Sequence, residues 1–147
     1  MLAVFSYLLW FAAIGLGFWR GGSPERVFAA ILAAMFLLDR TGHLLLGNRP
    51  DLPVDLLHMV IDLAVFVAMC SVSLKARRYW PLWASSCQLI SLFTHLGWAL
   101  ETRLPPAVYL VVNIAPSYLI FLSVIGGTLM HRRRMARRGA DPSWKNS

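Results

Sequence analysis

Asp55-Leu-Leu-His-Met-Val-Ile-Asp-Leu-Ala-Val-Phe-Val-Ala-Met-Cys-Ser-Val-Ser-Leu74 is the stretch whose reading decides the fold. Twenty residues without glycine or proline rise about 30 Å as an α-helix, the thickness of a bilayer's hydrocarbon core. Asp55, His58 and Asp62 all lie in its first part, and Lys75-Ala-Arg-Arg78 follows it directly. Working outward, four more apolar stretches of similar length cover about 2–19, 25–47, 82–100 and 107–130. The connectors are Arg20 to Arg26, Asn48 to Pro53, Lys75 to Pro81 and Glu101 to Pro106, each marked by glycine or proline.

With 58% hydrophobic and 14% charged residues among 147, the chain has too little polar surface to cover a water-soluble globule. The expected fold is therefore an all-α integral membrane protein, an antiparallel bundle of five transmembrane helices over 1–130 with a basic cytoplasmic tail at 131–147. The apolar run from Leu2 to Trp19 lacks the basic start and small-residue cleavage site of a secretory signal, so it is expected to remain as the first helix.

Short connectors make consecutive helices antiparallel, which puts the first connector, the third and the tail on one side. That side carries Arg20, Arg26, Lys75, Arg77, Arg78, Arg132, Arg133, Arg134, Arg137, Arg138 and Lys145, eleven basic residues, against Arg49 and Arg103 opposite. Basic residues are retained in the cytoplasm, so the tail is expected inside and the N-terminus outside. The second span is the least regular, because Asp39-Arg40-Thr41-Gly42-His43 interrupts it after Val27 to Leu38. Only a full crossing preserves the charge bias. Trp19, Tyr79, Trp80 and Trp83 then fall near the cytoplasmic boundary, and Trp98 and Tyr109 near the other.

A net charge of +7 raises nucleic acid as a partner, but the basic residues sit between apolar runs and in the tail, so none is expected. Cys70 and Cys87 lie in apolar segments with no metal or haem-attachment spacing. The tail arginines Arg132, Arg133, Arg134, Arg137 and Arg138 are dense enough to contact anionic lipid headgroups.

Ionisable residues inside a bilayer are costly and usually face protein or water. In the expected orientation Asp39, Arg40, His43, His58 and Asp62 fall in the outer half of their spans, His95 and Glu101 toward the outer end of the fourth, and Asn113 in the outer part of the fifth. The inner half is expected to hold only uncharged polar groups, namely Cys70, Ser71, Ser73, Ser85, Ser86 and Gln88. Asp39 and His43 are four apart on one helix, and His58 and Asp62 four apart on the next, so each pair shares a face. Two readings stay open. One is a neutralised buried network in which Arg40 pairs with Asp39, Asp62 or a partner's acid. The other is a functional centre, either a metal or haem held by His43, His58 and His95 or a proton path through the aspartates and histidines. Which cofactor it would hold, if any, is unknown from sequence.

Small residues that permit close helix approach include Ala13 with Gly17, Ala84 with Gln88 and Ser91, Cys87 with Ser91, and Ser123 with Gly127. Pro116 lacks the N–H for a carbonyl one turn back, which predicts a kink near Asn113.

At Arg78-Tyr-Trp-Pro-Leu-Trp-Ala84, at His131-Arg-Arg-Arg134 and at Gly139-Ala-Asp141-Pro-Ser143-Trp144, the chain resembles small uncharacterised inner-membrane proteins of sphingomonad-like Alphaproteobacteria. The resemblance implies a bacterial inner-membrane location and carries no activity. The preferred functional reading is a non-catalytic accessory or assembly subunit of a larger membrane complex, partnered by lipid and by other subunits or further copies of itself. A metal- or haem-binding redox protein and a proton or ion transporter are the alternatives.

Overall fold

A computed structural model describes the backbone over 2–46, 56–99 and 106–145, and side chains over 4–45, 56–94, 111–112 and 114–145. Five helices lie among these residues: α1 (Leu2–Arg20), α2 (Ser23–Leu46), α3 (Leu56–Lys75), α4 (Trp80–Ala99) and α5 (Pro106–Arg138). Their starts follow local chemistry. Pro24, Pro81 and Pro106 each stand in a first turn, where proline's missing N–H is no loss. Glu25 adds a negative charge at the positive end of the α2 dipole.

Between α1 and α2 the turn is closed by Gly21, whose N–H donates to the Gly17 carbonyl at 3.1 Å. A β-carbon at Gly21 would sit 2.4 Å from that carbonyl oxygen, so the turn requires glycine. The end of α5 is equally specific. Gly139 takes φ +72°, and its N–H donates to the Met135 carbonyl at 2.9 Å, a left-handed helix cap. As a result α5 runs through His131 to Arg138, so the first residues of the expected tail continue the last helix without a break. Helix α5 is also continuous through Pro116, which is buried.

The helices close into a ring. Each packs on the next in sequence, α5 returns to α1, and α2 touches α5 across the middle. The core contains Ala13, Phe28, Leu32, Met69, Ala84 and Val124, all nearly or fully buried. Two glycines allow close approaches between helices. A β-carbon at Gly17 would lie 2.9 Å from that of Ala29, and one at Gly127 would lie 2.6 Å from the Trp80 indole. Both belong to the small-residue pairs noted from sequence, and each lets a neighbouring helix come closer than a side chain would allow.

The outside of the ring is apolar. Leu8, Phe11, Leu37, Val60, Leu74, Phe93 and Leu122 are among many large hydrophobic side chains that face outward. A soluble monomer rarely exposes a continuous apolar surface of this kind. Three stretches, Ser23–Leu45, Leu56–Lys75 and Ile114–Arg138, are long and apolar enough to cross a bilayer, and Val4–Arg20 is a shorter apolar helix. The chain is thus a helical bundle with three candidate membrane spans, which imply contact with lipid.

Candidate functional site

The end of α2 and the start of α3 bring the two aspartate–histidine pairs together. His43 lies one turn beyond Asp39, and its Nε2 is 3.4 Å from Asp39 Oδ1. Across the interface, His58 Nδ1 stands 2.9 Å from the same oxygen. The other nitrogen of His58 faces Asp62 Oδ2 at 3.9 Å. Asp62 is fully buried, and Gln88 of α4 donates to its Oδ1 at 3.1 Å. A polar row therefore runs from His43 through Asp39, His58 and Asp62 to Gln88. Both histidine side chains are about one-third exposed, at 34% each, so the outer part of the row is open to the surroundings of the bundle.

One ligand atom each from Asp39, His43 and His58 lie within 4.8 Å of one another. For bonds of about 2.1 Å, ligand atoms of a tetrahedral metal stand about 3.4 Å apart and those of an octahedral one about 3.0 Å. Two of the three spacings, 3.4 Å from Asp39 to His43 and 2.9 Å to His58, are of that order, and the third lies within 4.8 Å. The 2.9 Å spacing equally suits a hydrogen bond between His58 and the carboxylate, and the 3.4 Å one an ion-pair contact with His43. Asp39 thus joins His43 and His58 in the part of the expected centre that is described. The side chains of His95, Glu101 and Asn113 lie outside the described residues.

Arg40 takes no part in this row. Its guanidinium donates to the Tyr7 hydroxyl and lies 5.8 Å from the Tyr7 ring centre and 5.6 Å from that of Phe36. Among the described residues it meets neither Asp39 nor Asp62. Beside Tyr7 is a cavity of about 340 Å³, bounded by Trp10, Met35, Gln88, Tyr118 and Phe121. Trp10 Nε1, buried in its wall, has no hydrogen-bond partner among the described residues.

The opposite end holds a second polar cluster, which sequence reasoning missed. Arg78 donates to the fully buried carboxylate of Glu25 and, at 2.6 Å, to Asp141 Oδ2. Trp80 Nε1 donates to Glu25 at 3.2 Å. Asp141 is further held by His131 Nδ1 at 2.6 Å and Arg134 Nε at 2.9 Å. Burial pushes the Asp141 carboxyl pKa up, but the hydrogen bonds from His131 and Arg134 and the nearby Arg78 charge outweigh it, leaving the group below its ordinary range.

The backbone joins this clasp. The Arg77 N–H donates to the Ser143 carbonyl at 3.1 Å, and the Lys145 N–H to the Lys75 carbonyl at 2.9 Å, forming a bridge between Ala76 and Trp144. Trp144 packs on the core. This cluster is built from connector and tail residues, beyond the spans whose inner half was expected to hold uncharged polar groups, and it contains the most deeply buried ion pair described. Arg78 had been read as a topology signal and Glu25 as part of a connector. Their pairing was signalled by arithmetic, because Glu25 and Asp141 are the only acids on the side that carries eleven basic residues.

Of the five tail arginines expected at lipid headgroups, Arg134 turns to Asp141, whereas Arg132, Arg133, Arg137 and Arg138 are exposed. Compared with known proteins, the chain matches no family model, no curated protein and no solved structure.

Proposed function

We propose that this chain is a five-span protein of a bacterial inner membrane, N-terminus outside and C-terminus cytoplasmic, that serves as a non-catalytic accessory or assembly component. The apolar outer surface supports five crossings, and the eleven-to-two distribution of basic residues supports the orientation. The observation that carries the accessory role is Arg40. An exposed guanidinium on an apolar helix, with a tyrosine but no carboxylate beside it among the described residues, suits an acid supplied by a neighbouring subunit.

Extraction directly into polymer-bounded native discs, followed by mass measurement, tests this. The expected particle contains protein well above the 16.5 kDa of one chain, and Arg40→Glu breaks it down. A monomer in native discs would remove the accessory reading. Reporter fusions after Arg138 and in the 47–55 connector check the orientation separately.

A second reading is favoured by the Asp39–His43–His58 spacing, namely a divalent transition-metal site. If His58 Nδ1 is a ligand, its other nitrogen points to the buried Asp62, itself held by Gln88. Carboxylate–imidazole–metal relays of this kind orient metal-binding histidines in general. Zinc titration of the purified protein tests it. Stoichiometric uptake lost in both His43→Ala and His58→Ala supports the site, and no uptake leaves a hydrogen-bonded polar row.

A further inference from the structure

On the clasp end of the bundle, a cavity of about 830 Å³ opens between the α3–α4 connector, α5 and the returning tail. Arg77, Arg78, Arg134, Arg138 and Lys145 line it, and Asp141 is the one acid in its wall. That acid is already engaged by Arg78, Arg134 and His131. The side chains of Arg77, Arg138 and Lys145 are exposed and meet no carboxylate among the described residues. Two further donors, Nε of Arg78 and Nη2 of Arg134, are buried without a hydrogen-bond partner there. Positive charge is thus concentrated in a concave space and only partly neutralised.

The rest of the wall is apolar and aromatic. Tyr79, Leu82, Trp83 and Met130 line the same cavity, and all four are exposed, Tyr79 at 84% and Trp83 at 69%. Aromatic rings of this kind gather at the level of lipid headgroups. Guanidinium groups pair with phosphate oxygens in a two-pronged geometry, which favours a phosphate over other anions. A soluble anion needs only the cationic floor; a phosphate tethered to acyl chains also uses the exposed apolar rim.

We propose that this cavity is a binding site for the phosphate headgroup of an anionic glycerophospholipid, held by Arg77, Arg138 and Lys145 with the clasp arginines beneath. The proposal rests on the membrane-spanning reading, which sets this end at a leaflet boundary. It differs from a general attraction of the basic α5 surface to the leaflet, because the connector and the tail supply cations to one concave place.

The test uses the full chain in neutral detergent, with phosphatidylglycerol or phosphatidylcholine added and bound lipid counted by native mass spectrometry. Wild type is expected to retain one phosphatidylglycerol in preference to phosphatidylcholine. Each basic residue near a headgroup contributes about fivefold, so the triple variant Arg77→Gln/Arg138→Gln/Lys145→Gln is expected to lose about a hundredfold in that preference. Those three side chains lie outside the clasp, which keeps the fold intact. A control triple, Arg132→Gln/Arg133→Gln/Arg137→Gln, removes equal charge from the neighbouring surface and is expected to change the preference less than threefold.

Equal losses in the two triples, or no preference in wild type, would overturn the site. Displacement of the lipid by millimolar inorganic phosphate would also overturn it, in favour of a soluble phosphate ligand. Carbonate extraction of native membranes separates the levels: release of the protein removes the membrane reading as well, whereas retention without lipid preference removes only this proposal.

Discussion

Replacing Arg78 with methionine removes the cation that joins two buried carboxylates while keeping most of the side chain's apolar volume. Its side chain is 5% exposed and that of Glu25 0%, so water compensates little for the loss. Two unit charges about 4 Å apart interact by roughly 4 kcal/mol at an effective dielectric constant of about 20. Breaking one partner of a buried ion pair costs about 3–5 kcal/mol, because the remaining charge stays desolvated. Arg78→Met is therefore expected to destabilise the bundle by about 3–5 kcal/mol. Unfolding in mixed micelles with increasing SDS, followed by tryptophan emission, measures it, since Trp144 leaves the core when the tail detaches. The double variant Glu25→Gln/Arg78→Met should recover about 1–3 kcal/mol of the loss, since neither charge is then stranded. A loss below about 1 kcal/mol, the range of exposed pairs, would refute the reasoning, as would strict additivity of the two single changes.

The pH response of the clasp has a definite sign. Asp141 is held below its ordinary range, so its contribution is complete above the unfolded carboxyl pKa of about 3.9 and lost as pH falls through the lower folded value. Trp144 emission should stay constant from pH 7 to 5 and shift to the red only below about pH 4. Gly127→Ala is expected to cost about 1–3 kcal/mol, because its β-carbon would meet the Trp80 ring at 2.6 Å. Gly126→Ala, with nothing within 4 Å of the new carbon, should stay within about 0.5 kcal/mol in the same SDS titration. Arg40→Leu should cost under about 1 kcal/mol in the isolated chain, since Arg40 is exposed and holds no acid in place among the described residues.

The helices were legible because bilayer thickness and backbone satisfaction leave little choice of structure for twenty apolar residues. The α2 interruption at Asp39 to His43 did not mislead, since a helix places Asp39 and His43 on one face and α3 supplies His58 to meet them. What sequence left open was the choice of partner. Arg40 stands next to Asp39 in the chain, yet adjacent residues on a helix diverge by about 100°, and the guanidinium reaches Tyr7 of α1 instead. The Glu25–Arg78–Asp141 clasp joins residues separated by 53 and 63 positions. Hydropathy treats such residues as boundaries and carries no information on which boundary groups meet. The extension of α5 to Arg138 was hidden for a related reason: arginine favours helix, but a hydropathy window ends where charge begins.

The two ends of the bundle are built for different kinds of behaviour. At the clasp end a buried ion pair, a backbone bridge and a core tryptophan hold α2, the α3–α4 connector, α5 and the tail together, so opening any one exposes the others' charges. The Asp39–His58 end has no comparable lock among the described residues. Its outer contacts join Asp39 to two imidazoles that are each about one-third exposed, with the buried Asp62 beneath them, and partly exposed pairs contribute less to stability than buried ones. Local opening draws on the least stable contacts first, so it should begin at residues 39–43 of α2 and 56–60 of α3. The clasp meanwhile holds the register of the helices at its own end. Hydrogen exchange in lipid discs distinguishes this arrangement from a uniformly rigid ring: amides of 39–43 and 56–60 should exchange well before those of 24–29 and 76–82, and the reverse order would exclude it.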